Sequence, residues 1–268
     1  RISKGLLPKR PVLCLIRSCW GCPTWMSLKK MMMSKIKALL LDLDGTLLDI
    51  DMELFIPAYI RLLAPYFSSI CGAEEFAVHL MGSTRVMIEN GDPALTNETV
   101  FFQDFCRRLQ QPVDSVYPVF EQFYEQEFPR LRHWSRPRPG ARPLVETARR
   151  RGLKLVLATN PLFPLSAVAH RLEWAGLSAE QFDLITTVEN SHFCKPRPEY
   201  FLEIAGAIGC RPQECLMAGN DVQEDLGAAR AGMATFLVEG MILHRGSGEP
   251  QCTYRGTLQD LARLVNEL

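Results

Sequence analysis

Short apolar runs alternate with amphipathic segments from residue 36 onward. The runs are almost continuously apolar, which is typical of strands covered on both faces of a sheet. They are "IKALLLDL" (36–43), "LKLVLAT" (153–159), "FDLITTV" (182–188), "ECLMAG" (214–219) and "ATFLVE" (234–239). Apolar residues recur with helical spacing over 142–151, 164–175, 198–208, 222–231 and 257–267. This alternation predicts an α/β fold with a doubly wound parallel sheet.

The first two apolar runs are much farther apart than one strand–helix–strand unit requires. Asp44 and Thr159 are 115 residues apart, whereas such a unit needs about 30 residues. Helical patterns fill the intervening chain, at 54–67, 74–90, 97–110 and 115–130. We therefore predict a helical cap domain at 50–137, inserted after the first strand into a core domain formed by 35–49 and 138–268.

The beginning of the chain differs in composition from the rest. Residues 1–41 contain nine Lys or Arg and no acid. The CxxC pair Cys19–Cys22 has no second pair to complete a zinc site and no strand–helix unit around it. We expect residues 1–34 to form a disordered basic leader without chemistry at the CxxC pair, with a transit peptide as the minor alternative.

Beyond residue 41 the chain is acidic, with 21 basic and 30 acidic residues. A net charge of −9 argues against nucleic acid as a partner. No apolar run approaches the roughly 18 residues of a membrane span, so no membrane partner is expected. Nine scattered cysteines, an odd number, are typical of reduced thiols, and we predict a cytoplasmic protein.

Polar residues that could take part in catalysis or ligand binding follow four of the predicted strands. In chain order they are Asp42 and Asp44, Thr159 and Asn160, Lys195, and Asp221 and Asp225. In an open parallel sheet, ligands bind at the carboxyl ends of the strands, where these residues should meet. Several carboxylates in one small site repel each other unless a cation compensates. Mg²⁺ prefers carboxylate and water oxygens and binds phosphates, so the pattern predicts a Mg²⁺ site for a phosphorylated ligand.

The same residue types suit phosphoryl transfer. One carboxylate can attack phosphorus and form an aspartyl-phosphate. A second carboxylate can protonate the leaving oxygen and later activate water. A lysine can neutralise charge on the transferring oxygens, while a threonine hydroxyl and main-chain N–H groups hold the phosphoryl group.

Four motifs stand in a recognisable order along the chain. They are D-x-D-G-T at 42–46, T-N at 159–160, K-P-x-P at 195–198 and G-N-D-x-x-x-D at 219–225. Over about 36–240 this order resembles the haloacid dehalogenase-like (HAD) hydrolase superfamily, in its helical-cap (C1-type), phosphoglycolate-phosphatase-like branch. The resemblance implies a Rossmann-like core, Mg²⁺ as cofactor and a small phosphorylated metabolite as substrate.

The resemblance also implies catalytic and phosphate-binding roles by position. Asp42 would be the nucleophile and Asp44 the general acid and base. Thr159 and Asn160 would bind the phosphate. Lys195 would stabilise both the nucleophile and the phosphoryl oxygens.

For the metal, the resemblance implies Asp42, the main-chain carbonyl of Asp44 and Asp221 as ligands, with Asp225 in support. Many relatives have Asp where Asn220 stands here, so the sequence leaves open whether Asp221 or Asp225 is the direct ligand. We prefer Asp221. Asp225 could equally serve only as an acid at a helix N-terminus.

Other functions stay open at this point. A phosphomutase of the same fold would use the same first motif, with cap residues deciding whether water or a sugar accepts the phosphate. A haloacid dehalogenase is disfavoured, because dehalogenase relatives lack the second Asp and Asp44 is present. A non-catalytic binding protein is disfavoured, because the nucleophile and the lysine are both retained. We expect a phosphatase for sugar, glycolate-type or nucleotide monophosphates, as a monomer or homodimer.

Overall fold

The computed structural model of the protein describes residues 36–268. The basic leader predicted at 1–34 lies outside the described residues. Within 36–268, none of the helices combines the length and the apolar character needed to cross a bilayer.

The described residues form the strands β1 (Ala38–Leu41), β2 (Leu48–Ile50), β3 (Ser135–Pro137), β4 (Lys154–Leu157), β5 (Leu184–Ile185), β6 (Cys215–Gly219), β7 (Ala234–Val238) and β8 (Tyr254–Gly256). Six of them form a parallel sheet with the order β5-β4-β1-β6-β7-β8, in which β1 lies near the centre. Leu41 pairs with both Leu157 and Ala218. Because β1, β4 and β6 end at nearly the same level, the residues that follow them meet at one edge.

Helices cover both faces of this sheet. The helices outside the insertion are α5 (Ala141–Arg150), α6 (Leu165–Trp174), α7 (Pro198–Ala207) and α8 (Leu258–Asn266). Successive β1 side chains alternate between the faces. Leu39 and Leu41 belong to the hydrophobic cluster that includes residues of α5, α6 and α8, whereas Ala38 and Leu40 belong to the cluster of α7. The predicted doubly wound parallel sheet is confirmed.

A helical insertion (52–134) lies between β2 and β3, which pair antiparallel. Its helices are α1 (Met52–Leu63), α2 (Ala73–Glu89), α3 (Asn97–Leu109) and α4 (Val113–Gln126), with short 3₁₀ segments at Ala64–Phe67 and Phe128–Trp134. α1 begins where the Asp51 carboxylate accepts a hydrogen bond from the Glu53 N–H at 2.9 Å.

Aromatic rings fill the interior of the insertion. Phe67 stacks on Phe76 at 4.8 Å between ring centroids and meets Phe105 edge-on at 5.8 Å. The same continuous hydrophobic cluster includes Leu39 and Leu41 of β1. The insertion and the sheet therefore share a core, and their division into separate cap and core domains stays a prediction.

The structure differs locally from the sequence-based predictions in three ways. The α-helix predicted at 222–231 is wrong: the chain forms a 3₁₀ helix over Asp225–Ala231. The strand predicted at 182–188 is much shorter in the structure, where it is β5. The β2–β3 pair and β8 were not predicted. The 3₁₀ helix has a tertiary cause, because its first residue, Asp225, bonds to groups outside the helix and Gly227 packs closely against Pro196.

The aromatic core of the insertion gives a stability prediction. Phe76 is fully buried, so Phe76→Ala leaves a cavity and should lower the free energy of unfolding by about 3–5 kcal/mol. Val78, two residues along the same helix, is 66% exposed, and Val78→Ala should change it by less than about 0.5 kcal/mol. Urea unfolding followed by circular dichroism measures both variants. Equal losses for the two would contradict this account of the core.

Candidate active site

The first motif lies where β1 leaves the sheet. Asp42 continues the sheet hydrogen bonds, since its N–H donates to the Ala218 carbonyl at 3.0 Å. The chain then turns at Gly45, which has a φ of 80°. A Cβ atom at Gly45 would lie only 2.4 Å from the Asn220 amide, so both the conformation and the close contact require glycine. The turn leaves Asp42 and Asp44 at the carboxyl edge of the sheet.

Lys195 and Thr46 hold the Asp42 carboxylate. The Lys195 Nζ donates to Asp42 Oδ1 at 2.9 Å and to Asp225 Oδ1 at 2.6 Å. The Thr46 hydroxyl lies 3.0 Å from Asp42 Oδ2. Burial by itself would lower the pKa of Lys195, but the Asp225 and Asp42 carboxylates raise it well above its ordinary value. The buried Lys195 ammonium therefore connects the end of β1 to the loop before α7 and to the segment after β6.

Asp225 connects this cation to the end of β6. Its Oδ2 accepts the Asp221 N–H at 2.8 Å, while its Oδ1 accepts from Lys195. Burial raises the pKa of Asp225; Lys195 opposes that rise and Asp42 adds to it. The carboxylate packs directly against Gly219, where a Cβ atom would lie 2.0 Å from Oδ2. Both carboxylate oxygens of Asp225 are thus engaged by protein groups.

Asp221 is held differently, by a turn and a surface arginine. Its Oδ1 accepts the main-chain N–H groups of Gln223 and Glu224, each at 2.9 Å. The Arg245 guanidinium donates to Oδ1 at 2.9 Å and to Oδ2 at 2.7 Å. Because 54% of the Arg245 side chain is exposed, another cation can replace it without unpacking the core.

Asp44 pairs with an arginine that is itself buried. Arg171 donates from Nη1 to Asp44 Oδ2, and only 1% of its side chain is exposed. The guanidinium carbon of Arg171 lies 4.6 Å from the centre of the Phe163 ring. Asp44 Oδ1 is buried and has no hydrogen-bond partner among the described residues. Burial raises the pKa of Asp44, and Arg171 offsets only part of that rise.

The second motif is tied to the third and the fourth. The Thr159 carbonyl accepts the Tyr200 hydroxyl at 2.8 Å, which fixes the main chain beyond β4. The Asn160 amide accepts the Lys195 N–H at Oδ1 at 3.1 Å and donates to Glu224 Oε2 at 3.0 Å. The structure thus brings all four motifs together at the carboxyl edge, through direct bonds between their members.

Three residues of this site were not predicted from the sequence, which are Arg171, Glu224 and Arg245. A signal existed for Arg171, because it falls among the buried apolar positions of α6 and a buried charge needs a partner. Thr46 belongs to the first motif, but its hydrogen bond to Asp42 was not predicted. Glu224 and Arg245 reach the site through loop contacts that no local pattern indicates.

The donor set fits a magnesium ion. In the part of the chain that the structure describes, no group of three or more His, Cys, Asp or Glu side chains could hold a metal by itself. Asp42 and Asp221 follow the neighbouring strands β1 and β6 and offer carboxylate oxygens. Mg²⁺ typically uses one or two carboxylates, several waters and substrate phosphate, so two acids suffice, provided that Arg245 releases Asp221.

Known proteins resemble this chain in sequence and in fold. Pyrophosphatase PpaX of Halalkalibacterium halodurans is 26% identical over 204 residues, which are 76% of this chain and 84% of that protein. A HAD phosphatase from Thermococcus onnurineus aligns with a TM-score of 0.56 and 21% identity over 87% of this chain and 99% of that one.

A dehalogenase has the same fold. The L-2-haloacid dehalogenase from Xanthobacter autotrophicus, with chloropropionic acid covalently bound, aligns with a TM-score of 0.51 and 18% identity over 86% of this chain and 98% of that one. At these identities a structural likeness establishes the fold alone. The chemistry therefore has to be inferred from the residues of the site.

A family model also matches most of the chain. The model for haloacid dehalogenase-like hydrolases matches residues 36–232, which include β1 and the four motifs. On this match, the chain belongs to the haloacid dehalogenase-like hydrolase family.

Proposed function

We propose that the protein is a Mg²⁺-dependent phosphatase that hydrolyses a small phosphorylated metabolite through an aspartyl-phosphate. The supporting observation is the contrast between two carboxylates two residues apart. Asp42 is bonded to the Lys195 cation, whereas burial raises the pKa of Asp44. Carboxyl groups with such different environments can divide the work of nucleophile and proton donor. A sequence relative that is named a pyrophosphatase supports the same reaction class.

In the first step, a carboxylate oxygen of Asp42 attacks phosphorus, and the bond between phosphorus and the leaving oxygen breaks. Lys195, 2.9 Å from Asp42, offsets negative charge on the nucleophile and the transferring oxygens. Asp44 gives its proton to the leaving oxygen. Its raised pKa keeps that proton available closer to neutral pH than an exposed aspartate would.

In the second step, Asp44 acts as a base. Its carboxylate, now ionised beside Arg171, accepts a proton from a water molecule whose oxygen attacks phosphorus. The bond between phosphorus and the Asp42 oxygen breaks, and inorganic phosphate leaves. The buried Arg171 stabilises the ionised form of Asp44, so both protonation states are accessible during the cycle.

Asp42, Asp221 and the main-chain carbonyl of Asp44 would hold the Mg²⁺. The bound metal would supply positive charge that brings the carboxylates and the substrate phosphate together. We assign Asp225 a positioning role instead of ligation, because Lys195 and the Asp221 N–H engage both of its oxygens. Asp221 is therefore the direct ligand in this proposal.

Thr159, Asn160 and Lys195 would hold the phosphate oxygens. The side-chain amide of Asn160 bonds to Lys195 and Glu224, so we expect Asn160 to act through its main chain. Because PpaX relatives are named pyrophosphatases, inorganic pyrophosphate is the second substrate to test. A cytoplasmic location and a monomeric or homodimeric state stay predictions from the sequence.

The nucleophile and the acid can be tested separately. Hydrolysis of p-nitrophenyl phosphate should require Mg²⁺ and fall to background in Asp42→Asn, since an amide cannot attack phosphorus. Asp44→Asn should lower kcat by about 100-fold while Mg²⁺ affinity stays unchanged. Initial rates with Mg²⁺ or with EDTA measure these effects. Asp49→Asn, an exposed acid in β2, serves as the control and should keep the wild-type rate. Turnover retained in Asp42→Asn would exclude Asp42 as the nucleophile.

The contact between Gly219 and Asp225 tests the positioning role. Gly219→Ala places a Cβ where Asp225 lies, so it should displace that carboxylate and lower both activity and thermal stability. Gly206→Ala, in the last turn of α7 with no atom beyond the helix's own backbone within 4 Å of the added Cβ, should instead leave the activity unchanged and stabilise the protein by at most about 1 kcal/mol. Melting temperatures and p-nitrophenyl phosphate rates distinguish the two. A fully active Gly219→Ala enzyme would remove the proposed role of Asp225.

Arg245 should compete with the metal for Asp221. Its removal in Arg245→Ala should tighten Mg²⁺ binding by about two- to fivefold, the range expected for losing a partly exposed ion pair. Calorimetric titration of the protein with Mg²⁺, without substrate, gives the affinity directly. Arg255→Ala, which removes a surface pair with Glu239, should leave it unchanged. Weaker Mg²⁺ binding in Arg245→Ala would contradict competition.

A further inference from the structure

A cavity of about 430 Å³ lies between the helical insertion and the loop after β4. α1, α2, α3 and α4 all contribute to its wall, together with residues 162–164, 166, 188 and 189. Most of the wall is apolar and aromatic, as Ile56, Leu80, Phe101 and Phe120 illustrate. A space of this size and character is typical of a pocket for a small organic molecule.

The cavity lies next to the proposed acid and base. Phe163 forms part of the cavity wall, and the Arg171 guanidinium stacks on its ring at 4.6 Å. Arg171 in turn pairs with Asp44, the residue that would protonate the leaving oxygen. The organic part of a phosphate ester begins at that leaving oxygen. The cavity is therefore placed to receive the part of the substrate that remains after the phosphate is removed.

The charges along the cavity all have one sign. Its charged lining residues are Glu98, Glu121 and Glu189, and no lysine, arginine or histidine is among the described residues that line it. Glu189 Oε1 accepts the Leu165 N–H at 2.9 Å, whereas its Oε2 is buried without a hydrogen-bond partner among described residues. Three carboxylates without a counter-charge make an apolar anion or a phosphorylated acid a poor occupant.

Aromatic rings stand beside these carboxylates. Tyr117, which hydrogen-bonds to Glu98, packs against Phe102 with 5.2 Å between ring centroids, and both rings line the cavity. Burial raises the pKa of Glu98, and the nearby Glu189 and Glu121 charges raise it further. A positive ligand would relieve that repulsion. Aromatic faces with carboxylates are also the groups that bind substituted ammonium ions in proteins.

We propose that this cavity binds the organic part of the substrate, and that this part is an apolar group carrying a substituted ammonium ion. The inference rests on the proposed phosphatase function, because it takes the cavity as the leaving-group site. Glu98 and Glu121 attract the ammonium charge, and the aromatic walls bury its apolar substituents. Inorganic pyrophosphate and phosphoglycolate lack both features, and neither would use the cavity.

A pair of substrates with the same shape tests the charge preference. Choline phosphate and 3,3-dimethylbutyl phosphate differ only in a quaternary nitrogen or carbon. Wild-type kcat/KM should be about tenfold higher for choline phosphate. In the double variant Glu98→Gln and Glu121→Gln, the ratio of the two kcat/KM values should fall towards one. Glu125 is an exposed acid on α4 outside the cavity, so Glu125→Gln should keep the wild-type ratio. Because each ratio is taken within one protein sample, partial misfolding cancels.

Calorimetric binding of benzyltrimethylammonium, which has no phosphate, separates this inference from the proposed function. Binding that weakens in the double Gln variant, without hydrolysis of any ester, would support the cation site and overturn the phosphatase proposal. Hydrolysis of p-nitrophenyl phosphate with no ammonium binding and no preference for choline phosphate would overturn the cation site and leave the phosphatase standing. Binding together with the tenfold preference supports both.

Discussion

The geometry of the site depends on one buried ammonium group. Lys195 Nζ lies between Asp42 and Asp225, and none of its side chain is exposed. An isolated cation at that depth would be strongly destabilising, and two buried carboxylates without it would repel each other. Each group is tolerable only because the others are present. Since Asp225 also accepts the Asp221 N–H, the pairing fixes β1, β6 and the loop before α7 relative to one another.

This network takes precedence over local helix propensity. The segment after β6 has an amphipathic pattern, yet it forms a 3₁₀ helix that begins at Asp225. Gly219 lets the Asp225 carboxylate approach the strand end, and Gly45 lets the first motif turn beneath Asn220. These close contacts leave little room for change, which is consistent with a site whose charges have to be held within a few tenths of an ångström.

The surroundings of Asp44 differ on its two sides. Towards the strand ends, paired charges create a site suited to an anion and a cation. Towards the insertion, beyond Arg171 and Phe163, an apolar cavity lined by carboxylates is suited to recognition. Because phosphatase and dehalogenase relatives have the same fold, neither property follows from the fold itself. In the proposed function, the reaction depends on the strand-end residues and the selectivity on the inserted helices.

The sequence by itself determined the parallel sheet, the position of the insertion and the residues at the strand ends, because buried strands and helices have distinct periodicities and parallel strands end together. It could not determine which acid bonds to which cation. Arg171 and Arg245 lie 127 and 24 residues from the carboxylates they contact, and such pairs depend on packing between segments. The engagement of both Asp225 oxygens, the pairing of Arg245 with Asp221 and the acidic cavity are likewise tertiary properties. They arise where side chains from separate elements share one desolvated space, which local sequence does not encode.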